Sequence, residues 1–447
     1  MRPRLALASA AAVVAGLALA ISACGGGNKI SDLQAVDGDC GSIQYGGEGD
    51  ASKLIVSDLP LKGDSAERSR QMNLAISQLL ASKEWQAGPG RYVAFQACDD
   101  SLGSTGEWDP GLCRSNAEAY ASNPDVIAVI GTYNSGCAAL EIPILNRAPG
   151  GGVPMVSPGN TFVCLTQPSP TLCAKDEPGV YYPTGRRNYV RVVPNDAVQG
   201  AGLASFARDI GVKRPFVLYA ADDPTSRGQA ITFQSAAAAL GLLPRGSAQW
   251  DPDADDYAVQ MNKARHAGAD AVVLAGILEQ NGVRLIRDKV AAFGPNDGPV
   301  KLLAFDGFGQ QATIDNTGPE ARGMYVSLPG RVPGTLTGVG QTFVETMREG
   351  VTNPIEVFAP YAAQAASVLV SAIRTGGGTR AGTIAELFKT SVRDGIIGSF
   401  AITPTGDPQP APISVQRADR QFVLARTIAP PVRIVDAARA GTGRGRG

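Results

Sequence analysis

Two short polar turns hold the residues of this chain best suited to chemistry. In VIAVIGTYNSGCAALEIPILNR, Val126 to Arg147, an apolar run of the kind that fills a buried parallel strand ends at Gly131. The chain turns small and polar at Thr132, Asn134, Ser135 and Gly136, then continues as an Ala/Leu/Ile stretch with helical spacing. PMVSPGNT repeats the arrangement, with a short apolar run leading to Ser157, Gly159 and Thr161. A helix N-terminus leaves backbone N–H groups unsatisfied and carries partial positive charge, so it suits a carboxylate or another acceptor. Ser135 and Thr161 would add hydroxyls at neighbouring strand ends, where open α/β sheets seat their ligands. Either hydroxyl could instead cap its own helix, but two such turns at consecutive strand ends favour binding. In KLLAFDGFGQQ, Asp306 follows a strand directly and could meet a cation, or cap the next helix.

Catalytic alternatives find little support. The chain has 447 residues, a formal net charge of −1 and a single histidine, His266, which removes the usual residue of triads, zinc sites and general-base schemes. No G-x-S-x-G elbow and no G-x-x-x-x-G-K-[ST] loop occurs, so no ATP-hydrolysing motif is present. DGFGQQA at 306–312 imitates a dinucleotide fingerprint without the acidic residue that would follow the next strand. WDPDADDY at 250–257 starts like a calcium loop, but Asp256 stands where glycine is needed and Asn262 where glutamate is needed. The acids at Asp99–Asp100 and Asp222–Asp223 are adjacent, and adjacent side chains point apart more often than together. No catalytic residue, cofactor or metal is expected, and the near-neutral charge gives no sign of a nucleic-acid partner.

The elements that must carry these turns alternate between short apolar runs and longer Ala-rich stretches, the pattern of α/β proteins with parallel sheets. Strands are predicted at 53–58, 92–97, 126–131, 154–158, 215–220, 271–276 and 301–306, with helices between them. Two such series, separated near RVVPND at 191–196, predict two doubly wound parallel-sheet lobes joined by a multi-crossover hinge. The expected division is 52–193 plus 330–397 for the first lobe and 194–329 plus 398–428 for the second. Residues 24–51 read as a flexible linker and 429–447 as a disordered tail.

Arg2 and Arg4 precede an Ala/Leu/Val run that leads through Ile21-Ser22-Ala23 to Cys24, the layout of an export signal over 1–23. Of the 7 cysteines, removing Cys24 leaves an even set with no CxxC pair, which suits disulfides in an oxidising compartment. Cys164 and Cys173 bracket the Pro-rich loop TQPSPTL and are the favoured pair, while the pairing of Cys40, Cys98, Cys113 and Cys137 stays open.

The block from Asp125 to Thr161 resembles the branched-chain amino acid binding proteins of ABC importers, the type I periplasmic binding proteins. SDLPLKGDSAERSRQMNLAI, RVVPNDAVQG and GIIGSFAITPTGD match the first strand and helix, the lobe crossover and the late crossover, in that order. The N-terminus is similar to a bacterial lipoprotein signal with Cys24 as the lipidated residue. The resemblance implies a solute receptor anchored by lipid at the outer face of the bacterial cytoplasmic membrane, serving an ABC permease with separate ATPase subunits. It implies a ligand held by Tyr133, Ser135, Gly159 and Thr161 on one lobe and by Ile277 and Asp306 on the other, with Asp306 on an ammonium group. Ile277 stands where the leucine/isoleucine/valine binders have an aromatic residue, and PTSRG at 224–228 lacks their Tyr-Gly pair. Tyr133 and Phe358 are then the expected aromatic walls. An amino acid is the expected ligand, with amides, urea-like solutes and small carboxylates as alternatives and a signalling partner as the alternative to a permease.

Overall fold

The computed structural model describes residues 29–30, 32–103 and 105–441. The export signal over 1–23, Cys24, Gly25 to Gly27 and the last residues of the tail lie outside this set. The first lobe opens with β1 (Ala51–Leu59), α1 (Ala66–Ser82), β2 (Tyr92–Asp99), α2 (Pro110–Ser122), β3 (Val126–Gly131), α3 (Ser135–Arg147), β4 (Met155–Ser157) and β5 (Tyr189–Arg191). Its sheet runs β2-β1-β3-β4-β5, with every pairing parallel. All six residues of β3 are buried because helices cover both faces of the sheet, which is why the strand reads as an unbroken apolar run.

The second lobe follows as α4 (Asp196–Asp209), β6 (Pro215–Ala220), α5 (Pro224–Ala239), β7 (Ser247–Trp250), α6 (Ala258–His266), β8 (Ala271–Ala275), α7 (Gly282–Phe293), β9 (Lys301–Ala304), α8 (Gln311–Thr317) and β10 (Tyr325–Leu328). The chain then returns to the first lobe with α9 (Val339–Arg348), α10 (Ala359–Thr375), α11 (Arg380–Leu387), β11 (Ser391–Gly395), β12 (Gly398–Ile402) and β13 (Pro408–Gln409). It ends in the second lobe with β14 (Ile413–Ala418), β15 (Phe422–Ile428) and α12 (Val432–Ala440). The second sheet runs β15-β14-β10-β9-β8-β6-β7 and is parallel except for β14 and β15. All seven predicted strands are present, and His266 ends α6 with its side chain exposed.

One apolar cluster lies between the first sheet and α1 and α10, and another under α6 and α7 of the second. The third runs from α2 and α3 through Phe162–Leu165 to α4, α5 and α12, joining the lobes behind the cleft. Each fully buried Leu, Ile, Val or Phe in these layers contributes about 1.5–3 kcal/mol.

Three sequence expectations change. Residues 29–50 are not a loose linker. They run antiparallel along β2 through bridges Cys40↔Cys98 and Gln44↔Phe95, bury Val36, and are fixed by the Cys40–Cys98 disulfide. The strap covers the outer edge of the sheet, held by backbone pairs, a crosslink and a few apolar side chains such as Val36 and Ile43, so its largely polar composition hides it. The tail is helical at 432–440, with Ile434 and Ala438 buried against α4 and α5. β12, expected in the second lobe, pairs with β11 and sends Phe400 and Ile402 into the first lobe's core, so the last crossover lies at 410–412 rather than at 398. The glycines around Ile396 and Ile397 make a hairpin, not a hinge.

The other two disulfides are Cys164–Cys173, as favoured from the loop it closes, and Cys113–Cys137, which ties α2 to α3. Among the described residues no helix is long and apolar enough to cross a membrane.

Candidate ligand-binding cleft

The first wall of the cleft is the start of α3. Asn134 takes the N-cap position with extended backbone, φ −85° and ψ 130°, but its side chain caps nothing. Among the described residues no acceptor receives the amides of Ser135, Gly136 or Cys137, so the positive end of a 13-residue helix is left for an outside partner. Ser135 is not the cap of its own helix either. Its Oγ accepts from Thr161 N at 3.1 Å and Phe162 N at 3.2 Å, tying the two polar turns together.

Other bonds fix those turns further. Asn160 Nδ2 donates to Thr132 O at 2.9 Å and Tyr133 O at 3.0 Å, and Ser157 Oγ donates to Thr132 O at 2.8 Å. Arg191, wholly buried, donates to Asn160 O at 3.1 Å and pairs with Asp407 at 2.8 Å, so the site's floor is braced from the hinge. Gly159 and Gly136 are needed for close approach: a Cβ would meet Tyr133 Cδ2 at 2.7 Å and Trp108 Cζ2 at 2.3 Å, respectively.

The second wall comes from strand ends of the other lobe. Asp306 follows β9 and is buried, and α8 begins later, at Gln311 with Gln310 as its N-cap, so Asp306 caps no helix. Its Oδ1 accepts from Gln199 Nε2 at 2.8 Å. Burial pushes its carboxyl up to about 6, against the hydrogen bond from Gln199 and the charge of Arg68. Asp196, beside the Thr161 hydroxyl, is pushed up to about 8 by burial and by the charge of Asp306. Asp306 lines the cleft, and Asp196 lies behind it at the start of α4, so burial and mutual repulsion disfavour the charged form of both. Ile277 pairs with Gly307 across the ends of β8 and β9. Asp223 caps α5 through Thr225 N at 2.8 Å and faces the same space.

Tyr133, Ser135, Gly159, Thr161, Ile277 and Asp306 all line one narrow cavity of about 40 Å³ between the lobes. Phe358 does not line it. The ring stands behind Tyr133, edge-on with centroids 5.1 Å apart. Roomier cavities of about 310 Å³ and 800 Å³ are lined by the hinge segments and by β15 with the segment 351–357.

The lobes are closed on each other by a ring of side chains that sequence reasoning missed. Arg68 Nη2 donates to Ser65 Oγ at 2.9 Å, and Ser65 Oγ donates to Glu279 Oε1 at 2.6 Å. Gln310 Nε2 donates to the same Glu279 oxygen at 3.0 Å and its Oε1 accepts from Arg68 Nη1 at 2.8 Å. Ser65 and Arg68 belong to the first lobe, and Glu279 and Gln310 to the second. The Arg68 guanidinium also lies 3.8 Å over the Tyr133 ring. Trp108, which lines the cavity from the segment before α2, was missed as well. The only signal for it in the sequence is an aromatic residue within a polar loop.

The comparisons with known proteins agree with this geometry. The chain has no significant match among curated proteins. Among solved structures it is similar to a leucine-binding protein from Thermotoga maritima, with 22% identity over 85% of this chain and 99% of that one and a TM-score of 0.72. It is also similar to a solute-binding protein of an ABC transporter from R. palustris in complex with benzoate, at 18% identity over 85% and 97% of the two chains and a TM-score of 0.68. A third is a branched-chain amino acid transporter substrate-binding protein from Streptococcus pneumoniae in complex with isoleucine, at 15% identity over 83% and 99% and a TM-score of 0.66. At these identities the likeness is one of fold. The profile of the periplasmic binding proteins matches residues 60–421, most of the chain, and the protein belongs to that family.

Proposed function

We propose that this protein is the extracytoplasmic solute receptor of an ABC importer and that its ligand is an α-amino acid. The observation that carries the reading is a helix N-terminus without a protein acceptor and a buried carboxyl on the other lobe, both lining one cavity. The uncapped N-terminus of α3 suits a carboxylate, and Asp306 on the facing lobe suits an ammonium group. A zwitterion would touch both lobes and stabilise their closed arrangement by its differential affinity. The permease would then read the closed, filled form. The leader over 1–23, followed directly by Cys24, supports a lipid anchor outside the cytoplasmic membrane.

A simple carboxylate is the second reading, supported by α3 alone and by the benzoate-bound neighbour. Thermal melting of the oxidised protein against amino acids, amides, ureas and benzoates separates the two. A ligand at about one hundred times its Kd adds roughly 2.7 kcal/mol. The amino-acid reading expects a shift with α-amino acids that Asp306→Asn abolishes. A response to benzoates alone, kept in Asp306→Asn, would sink it.

A further inference from the structure

We infer that the cleft is shaped for the smallest α-amino acids, glycine, alanine and serine, and that Trp108 sets the limit. The inference rests on the amino-acid reading and narrows it to a ligand class. A cavity of about 40 Å³ has room for roughly three or four waters, which is the backbone of an amino acid and little more. With carboxylate and ammonium assigned to α3 and Asp306, the apolar walls left for a side chain are Trp108, Tyr133 and Ile277, while Thr161, Asp223, Thr225 and Gln229 make the polar side.

Two of these walls cannot give way. Tyr133 is held between the Arg68 guanidinium at 3.8 Å and the edge of Phe358 at 5.1 Å. Ile277 is packed so closely on its bridge partner that a Cβ on Gly307 would meet Ile277 Cγ2 at 2.7 Å. Trp108, like Ile277, comes from a connecting segment, is partly buried and has a backbone bridge partner, Ser101, but its ring rests on a glycine rather than being wedged against a neighbouring strand end. Its indole lies on Gly136, in the first turn of α3. The residue before it reaches the other lobe, with Gln280 Nε2 donating to Glu107 Oε1 at 3.4 Å, so closure of the lobes holds the indole down. Gly136 is what lets the ring come so near. A larger side chain would have to expel the indole and break that contact.

The test is calorimetric titration of the full chain in mild detergent with glycine, alanine, serine, valine, leucine and isoleucine, using the native protein, Trp108→Ala and Trp108→Phe. The native protein is expected to bind alanine at least about tenfold more tightly than leucine, the usual scale for a misfit of one or more methylenes. Trp108→Ala should gain leucine affinity until the order levels or reverses, and Trp108→Phe should lie between. Melting curves check that both variants fold. Leucine binding to the native protein as tightly as alanine would overturn the inference and leave the amino-acid reading standing, as would an unchanged order in both folded variants. No response to any amino acid, in the native protein or either variant, would overturn both.

Discussion

Replacing Glu279 by glutamine tests whether the buried ring is a latch between lobes or a brace within the fold. Both charged partners are 2% exposed, and Arg68 Nη2 lies 3.5 Å from Glu279 Oε1. At an effective dielectric of about 20, charges at that separation attract by roughly 332/(20 × 3.5), about 5 kcal/mol. Glutamine keeps an oxygen for Ser65 and Gln310 and escapes the desolvation of a carboxylate, so the net loss is about 3 kcal/mol, the low end for breaking a buried pair. Arg68 can recover water only if the lobes part. The loss therefore falls on closure, as a shift of about a hundredfold toward the open form. Small-angle scattering of the ligand-free protein is expected to show a larger radius of gyration for Glu279→Gln, with the melting temperature nearly unchanged. An unchanged scattering profile combined with a melting loss worth the full 3 kcal/mol would refute the latch and assign the ring to the fold.

Ligand affinity should depend on pH through Asp306. With the ligand-free value at about 6, affinity for an α-amino acid is expected to be level above pH 7 and to fall about tenfold between pH 7 and 5. The empty protein behaves oppositely: the folded value is raised from 3.8, so Asp306 takes stability away as pH rises from about 4 to 6. In Asp306→Asn both dependences should flatten and affinity drop by about 1.5–3 kcal/mol, measured by calorimetry across pH. Removing the Cys164–Cys173 link, sequence separation 9, should lower stability by about 2.6 kcal/mol on loop entropy, read by denaturant unfolding; no loss would mean the loop is held by α12 alone. Ile434→Ala should cost about 2 kcal/mol by the same assay, since Ile434 is buried against the second lobe; a neutral result would leave α12 undocked in solution.

How much was legible in the sequence follows the range of the interactions. The strand ending at Gly131, the turn at Ser135 and the acid after β9 are local patterns, and each could be read from a dozen neighbouring residues. The ring around Glu279 could not. Ser65 and Glu279 are 214 residues apart and Arg68 and Gln310 are 242 apart, and nothing near either residue announces the other. Trp108 escaped for a related reason, since its role depends on Gly136 coming within reach across the α2–α3 face. Phe358 was placed one layer too far forward: it stands at the N-cap of α10, before any helical spacing begins, and an apolar residue at such a point gives no sign of whether it lines the cleft or backs the ring that does. The strap at 29–50 and the helix at 432–440 were read from composition, and composition misses segments held by a crosslink or by a few apolar residues.

The two ends of the cleft carry opposite debts, and the ligand class follows from settling both together. Closing the lobes buries Asp306 without a cation, and its carboxyl responds by holding its proton more tightly. It also buries the first amides of α3 without an acceptor. Each omission costs about 1–3 kcal/mol, comparable with the gain assigned to the Arg68–Glu279 ring. The ring can therefore hold the empty form closed only by a narrow margin. A solute with a carboxylate alone relieves one end, and a solute with an ammonium alone relieves the other. A zwitterion small enough to lie under Trp108 relieves both, and the closed state then deepens by the sum of the two terms.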